Sequence, residues 1–92
     1  MLVFPDRSLA LDALSIADLT LESLGPVIEA SDVTDILIVG CGPVFVDEPA
    51  GLRSGLRTHG IVLEWMDTGA ACRTYNVLLA EDRRLAAALI AV

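Results

Sequence analysis

Arg73 and Asn76 stand three positions apart in the stretch Met66-Asp67-Thr68-Gly69-Ala70-Ala71-Cys72-Arg73-Thr74-Tyr75-Asn76, whose composition opens a helix. Helical spacing puts both side chains on one side of it, overhanging whatever groove lies at the helix start. Asp67 or Thr68 supplies the cap, and the first-turn amides of Gly69, Ala70 and Ala71 offer N–H groups to an anion. Arg73 could then grip a carboxylate or phosphate through its forked guanidinium. The same residues also admit a structural use, in which the Asp67 carboxylate satisfies the helix amides itself and Arg73 pairs with Asp67 or Glu81.

A second group, Ile36-Leu37-Ile38-Val39-Gly40-Cys41-Gly42, is an apolar run feeding a glycine turn, as in dinucleotide-binding proteins. The third glycine of that fingerprint is missing, its place is held by Phe45, and Pro43 interrupts the expected helix start. Glu64 falls where a ribose-binding acid would lie, but 92 residues cannot supply the two-halved domain such cofactors occupy. Gly40 and Gly42 are read instead as a sharp turn with close packing. If the strands ending at Gly40 and Met66 are parallel, both ends emerge on one sheet edge, and the glycine loop and the Thr68 helix share a crevice there.

No constellation for covalent or acid–base catalysis is evident. His59 precedes the helix-stopping Gly60 and reads as a C-terminal helix residue meeting the dipole. Cys41 and Cys72 match neither a CxxC nor a zinc pattern and are expected to be reduced, buried thiols, a redox pair following only if folding brings them together. Cys72, in a first helical turn where a thiol's pKa can be lowered, is expected to face the core beside Ala71 and Tyr75. No metal site and no cofactor are expected.

The elements that must position these groups alternate between strand and helix patterns. Leu2 to Phe4 and Leu9 to Ala13 read as short strands flanking the Pro5-Asp6 turn. Thr20 caps a helical segment toward Ala30, which Pro26 divides into two short pieces. Asp35 to Gly40 is a strand buried on both faces. Asp47-Glu48-Pro49 marks the start of a helix running to Thr58, with Leu52 and Leu56 inward and Arg53 and Arg57 an exposed pair. Val62 to Met66 is the next strand, on which Trp65 reads as core. The third helix carries Ala71, Tyr75, Leu78 and Leu79 inward and ends near Glu81-Asp82, and Arg83 to Val92 closes the sheet despite its alanine-rich run. Arg83 and Arg84 are expected to pair with Glu81 and Asp82. One α/β domain around a mixed, partly parallel sheet accounts for the whole pattern.

Composition narrows the function. A net charge of −7, with six arginines and no lysine, gives no basic face for nucleic acid. The longest apolar stretch, Ile36 to Val46, is broken by Gly40, Gly42 and Pro43 and is far short of the roughly 20 residues that span a bilayer. The N-terminal Met1 to Asp6 lacks the basic start of a secretory signal, so a cytoplasmic location is expected. The 54% hydrophobic content is high for a small domain and predicts apolar surface left over for a protein partner or for a homodimer.

The run from Asp67 to Arg83, preceded by Leu37 to Gly42, closely resembles the Mth-type domain-of-unknown-function family of bacterial and archaeal proteins. Its eukaryotic relatives include an adipogenesis-associated Mth-domain protein and a mitochondrial complex I assembly factor. The resemblance runs from Leu2 to Val92 and implies a compact three-layer Mth-like fold with no firmly assigned activity or cofactor. It also implies shared positions at Gly40, Gly42, Asp67, Thr68, Arg73, Thr74, Tyr75, Asn76, Glu81 and Arg83. Asp82 stands where relatives usually carry glycine, and the resemblance leads to the expectation that a strand segment relatives commonly carry before the position of Leu2 is lacking. The expectation is therefore a noncatalytic, assembly-factor-like protein-binding domain over residues 1–92 with a crevice at the Gly40-Gly42 loop and the Thr68 helix start. The alternative is a small enzyme or ligand-binding protein holding an anionic metabolite there.

Overall fold

The continuous apolar run Ile36–Gly40 forms β3, every residue of it buried, and its position in the sheet follows from that. In the computed structural model, which describes residues 2–4, 7–9, 19–30, 32 and 34–90, β3 has a parallel neighbour on each side. These are β4 (Val62–Met66) and β5 (Leu85–Leu89). Antiparallel β1 (Leu2–Phe4) and β2 (Arg7–Leu9) extend the sheet beyond β5, giving the order β2-β1-β5-β3-β4. The sheet is thus mixed and partly parallel, as the strand patterns predict. The second strand is displaced, however: pairing Leu2 with Leu9 and Phe4 with Arg7 leaves only Pro5 and Asp6 between the partners, so β2 begins at Arg7 rather than Leu9. Residues 10–13 lie outside the described set.

Among the described residues three helices cover the two faces. α1 (Gly25–Glu29) begins with Pro26 in its first turn, where a missing N–H costs nothing. Thr20 does not start it. Its Oγ1 accepts the Ser23 N–H at 3.2 Å and closes a separate turn, so the segment is in two pieces, as Pro26 implies. α2 (Leu52–Thr58) starts three residues after Pro49, with left-handed Gly51 before it and no side-chain cap. The expected acidic cap fails because Arg53 takes the Glu48 carboxylate through two bonds, at 2.8 and 3.2 Å. Gly60 ends α2 as expected: its φ of 77° lets Ile61 N–H reach Leu56 C=O at 3.0 Å and its own N–H reach Arg57 C=O at 2.9 Å.

α3 (Thr68–Ala80) is capped by the Asp67 carboxylate, which accepts the Ala70 N–H at 2.9 Å. The chain steps outward from β3 to β4 through α2, then back across β3 to β5 through α3. Right-handed crossovers in opposite directions place their helices on opposite faces, which produces three layers. On one side Leu37, Val39, Leu63, Ala86 and Ala88 pack under Leu24, Val27, Leu52 and Leu56. On the other, Ile36, Ile38, Leu85 and Ala87 pack under Ala71, with Tyr75 and Leu78 alongside. Leu37 and Val39 are wholly buried, each contributing on the order of 1.5–3 kcal/mol.

Small alanines on both faces of β5 let the helices approach a central strand, and this context overrides their helical preference. Three further expectations are corrected. Leu79 is exposed, because α3 turns it away from the stripe that carries Ala71, Tyr75 and Leu78. Cys72 is exposed for the same reason, while Cys41 is buried. Arg84 pairs not with its sequence neighbours but with Asp35 across the sheet bottom, through bonds of 2.7 and 2.9 Å, and also donates to Asp32 C=O.

Candidate functional site

β3 and β4 are adjacent and parallel, yet their chain ends lead to opposite faces, β3 through a loop to α2 and β4 directly to α3. In open parallel sheets this parting of loops is where ligands bind. The register places Gly40 beside Met66, so the Gly40-Gly42 loop and the first turn of α3 do meet at one edge.

They meet in close contact. A Cβ on Gly40 would lie 2.8 Å from Thr68 Cα and 2.9 Å from its Oγ1, so only glycine lets the helix start sit over the strand end. Gly42 has a φ of 115° and turns the chain sharply away. Its N–H donates to Thr68 Oγ1 at 3.0 Å, and its C=O accepts the Thr68 N–H at 2.9 Å. The Thr68 hydroxyl in turn donates to Ile90 C=O at 2.7 Å, tying the tail of β5 into the same knot.

Beyond it, Val44, Phe45 and Val46 project outward, Val44 and Phe45 with 69% and 62% of their surfaces exposed. The loop is nevertheless held. Buried Cys41 Sγ donates to Val44 C=O at 3.6 Å and accepts the Val46 N–H at 3.4 Å, and the Trp65 indole N–H donates to Val46 C=O at 2.6 Å. Trp65 therefore does two jobs, packing its ring against the core and pinning this loop.

At the start of α3 most of the amides expected to greet an anion are already engaged. Ala70 N–H goes to the Asp67 carboxylate and Ala71 N–H to Asp67 C=O at 2.9 Å. Arg73 is exposed and forms no ion pair with Asp67 or Glu81. Its guanidinium folds back over the first turn, with NH1 3.6 Å from where a Gly69 Cβ would be. Asn76 is exposed one turn further on. Gly40, Gly42, Asp67, Thr68 and Arg73 are thus brought together. Thr74 and Tyr75 are half-buried, Tyr75 packing onto the sheet. Glu81 caps the opposite end of α3, about 20 Å from Asp67 at 1.5 Å per residue, with Arg83 just beyond it.

Hollows lie elsewhere among the described residues. One of about 250 Å³ lies between Leu19–Leu21 and Pro49–Leu52. Another of about 200 Å³ lies beside β4, lined by Arg53, Arg57 and residues 60–63. Among the described residues no three His, Cys, Asp or Glu side chains converge as metal ligands, and no helix is long and apolar enough to cross a membrane. Sequence reasoning missed the roles of Ile90, Cys41 and Arg53. Only the placement of Cys41 between the two glycines hinted at one of them.

A family model described as "Protein of unknown function (DUF498/DUF598)" matches residues 1–90. NADH dehydrogenase [ubiquinone] 1 alpha subcomplex assembly factor 3 of Xenopus tropicalis is 36% identical over 88 residues, covering 96% of this chain and 48% of that protein. The solution structure of the Rpa2829 protein of Rhodopseudomonas palustris superposes with a TM-score of 0.89 at 42% identity, covering 99% of this chain and 67% of that one. A Mth938-like domain from Bordetella pertussis superposes with a TM-score of 0.74 at 27% identity, covering 88% and 65% of the two chains. The chain spans about half the length of the curated relatives it matches.

Proposed function

The chain belongs to the DUF498/DUF598 family of proteins of unknown function, and we propose that it acts within that family as a noncatalytic, assembly-factor-like domain that binds another protein. One observation carries this reading. Three consecutive apolar residues, Val44, Phe45 and Val46, are held out by bonds from Cys41 and Trp65 instead of folding onto the core. An exposed apolar group fixed in one conformation loses little entropy on docking. The kinship with a protein named as an assembly factor supports the same reading. The contact surface is assigned to residues 44–46, positioned by the buried Gly40-Gly42 turn and Thr68, with Asp67, Arg73 and Asn76 as its polar rim and Thr74, Tyr75 and Glu81 carried on the same helix.

Affinity capture from native lysate tests it, with wild type beside Phe45→Ser and Arg73→Ala. Both side chains are exposed, so circular dichroism and melting temperature should be unchanged. The variants should lose a protein that wild type retains. Identical captured sets, or none, would overturn the reading. An anionic metabolite at the α3 start is the weaker alternative, since the bonds at Ala70 and Ala71 occupy two of the three amides it would need.

A further inference from the structure

Among the described residues β4 ends the sheet, with no strand paired to its outer edge. In a parallel pair, alternate residues turn both backbone groups toward the same neighbour. Val62 N–H bonds to Asp35 C=O and Met66 C=O accepts from Cys41, so Val62, Glu64 and Met66 face β3 and the backbone groups of Leu63 and Trp65 point outward. An edge of this kind is usually blunted by lysine, proline or a bulge. β4 has no lysine, proline or bulge, its one charge being the exposed Glu64, and Val62 is 55% exposed.

One outward group is already engaged in an informative way. Arg53 NH1 donates to Leu63 C=O at 2.8 Å, at the position where the N–H of an added strand would bind. The same guanidinium holds Glu48, a carboxylate. Arg57, one turn along α2, is exposed and has no ion pair among the described residues. Both arginines line the hollow beside residues 60–63. Glu48 already neutralises Arg53 and Glu64 lies on the same strand, so the charge open to an occupant is that of Arg57, and a cation without an ion pair at a strand edge favours an acidic partner segment.

We propose that the β4 edge receives an extended acidic segment of a partner protein, which adds a sixth strand and places carboxylates over Arg53 and Arg57. This rests on the protein-binding reading above and supplies its partner chemistry. The incoming N–H replaces Arg53 at Leu63 C=O, and Arg53 exchanges Glu48 for the segment's carboxylate. Side chains of an added strand alternate between faces. Acidic residues then fall on the α2 side with Leu63 and Trp65, and apolar ones on the side of Val62. A second copy of this chain fits poorly. Symmetric antiparallel pairing centred on β4 would set Glu64 against Glu64, and like charges directly opposite are destabilising.

The test is an NMR titration of the ¹⁵N-labelled protein with a short capped peptide of alternating glutamate and valine. Saturable shifts at Leu63 and Trp65, slowed amide exchange there, and binding about tenfold weaker in Arg57→Glu are expected. A lysine-for-glutamate peptide, and one N-methylated at alternate residues, should not bind. No binding by the glutamate peptide, equal binding by the N-methylated one, or an undiminished affinity in Arg57→Glu would overturn the proposal. Arg57 is exposed in the last turn of α2, where a reversed charge opposes the helix dipole, so a small fall in melting temperature is expected, and the peptide arms stand whatever its size. If the edge fails while Phe45→Ser still loses a captured protein, only the edge assignment falls.

Discussion

The Thr68 hydroxyl bonds the Gly42 amide at 3.0 Å while donating to Ile90 C=O at 2.7 Å, so one side chain joins the ends of β3, β4 and β5. Both bonds are buried, and no water can replace a lost partner without opening the contact. Thr68→Val keeps the shape and removes the hydroxyl, leaving a buried donor and a buried acceptor unpaired at a combined cost of about 2–6 kcal/mol. Thr68→Ser keeps both bonds and loses only a methyl group, at about 0.8 kcal/mol. Urea unfolding of the two variants separates these outcomes. Equal midpoints would mean that packing, not hydrogen bonding, holds the loop to the helix.

Asp82 is the one described non-glycine residue with positive φ, at 58°, and it follows the C-cap of α3. Arg83 N–H reaches Leu78 C=O and Asp82 N–H reaches Leu79 C=O, both at 3.1 Å, so the helix ends as α2 does but without the glycine that α2 uses. An L side chain in this conformation costs about 1–2 kcal/mol, less for Asp than for most residues. Asp82→Gly should therefore stabilise the fold by roughly 0.5–1 kcal/mol and raise the melting temperature by a few degrees. A lower melting temperature would show that Asp82 contributes something beyond its backbone angle.

What the sequence revealed and what it hid divide along the range of the interactions involved. β3 and β4 were legible because hydrophobic pattern and turn residues are local, and so were Gly60 as a stop and Asp67 as a cap. The start of α2 was not, because Glu48 is drawn to Arg53 instead of the helix amides. The partner of Arg84 was hidden for a similar reason. Asp35 is 49 residues away, and only the parallel pairing of β3 with β5 brings them together. At the candidate site, the glycines and the α3 start could be placed on one edge from strand direction alone. That Thr68 would fill the space against Gly40, and that Cys41 and Trp65 would hold out an apolar loop, depended on side-chain packing that no spacing rule encodes.

The Asp35–Arg84 pair gives a pH dependence of definite sign. Hydrogen bonding to Arg84, reinforced by its charge, holds the Asp35 carboxyl below its ordinary value. A depressed folded-state pKa means that the contribution is fully present above the unfolded value of about 3.9 and is lost as pH falls through the lower folded value. Arg84 stays protonated throughout. The melting-temperature gap between wild type and Asp35→Asn should be constant near neutral pH and close below about pH 4. The pair is exposed, so the gap should be small and should shrink in high salt. A gap that widens on acidification would reverse the assignment.

Cys41 and Cys72 should separate cleanly by reactivity. Cys72 lies on the outer face of α3, whereas Cys41 is buried with its sulfur engaged by Val44 and Val46. Thiol chemistry needs access as well as thiolate, so an aromatic disulfide reagent should modify one thiol per native chain quickly and the second only as the loop opens. Cys72→Ser should abolish the fast phase. The slow phase should then quicken in Trp65→Phe, which keeps the ring packing but deletes the indole N–H that pins Val46 C=O. If both thiols react at one fast rate, the loop is not held as described, and residues 44–46 lose the rigidity that makes them a docking surface.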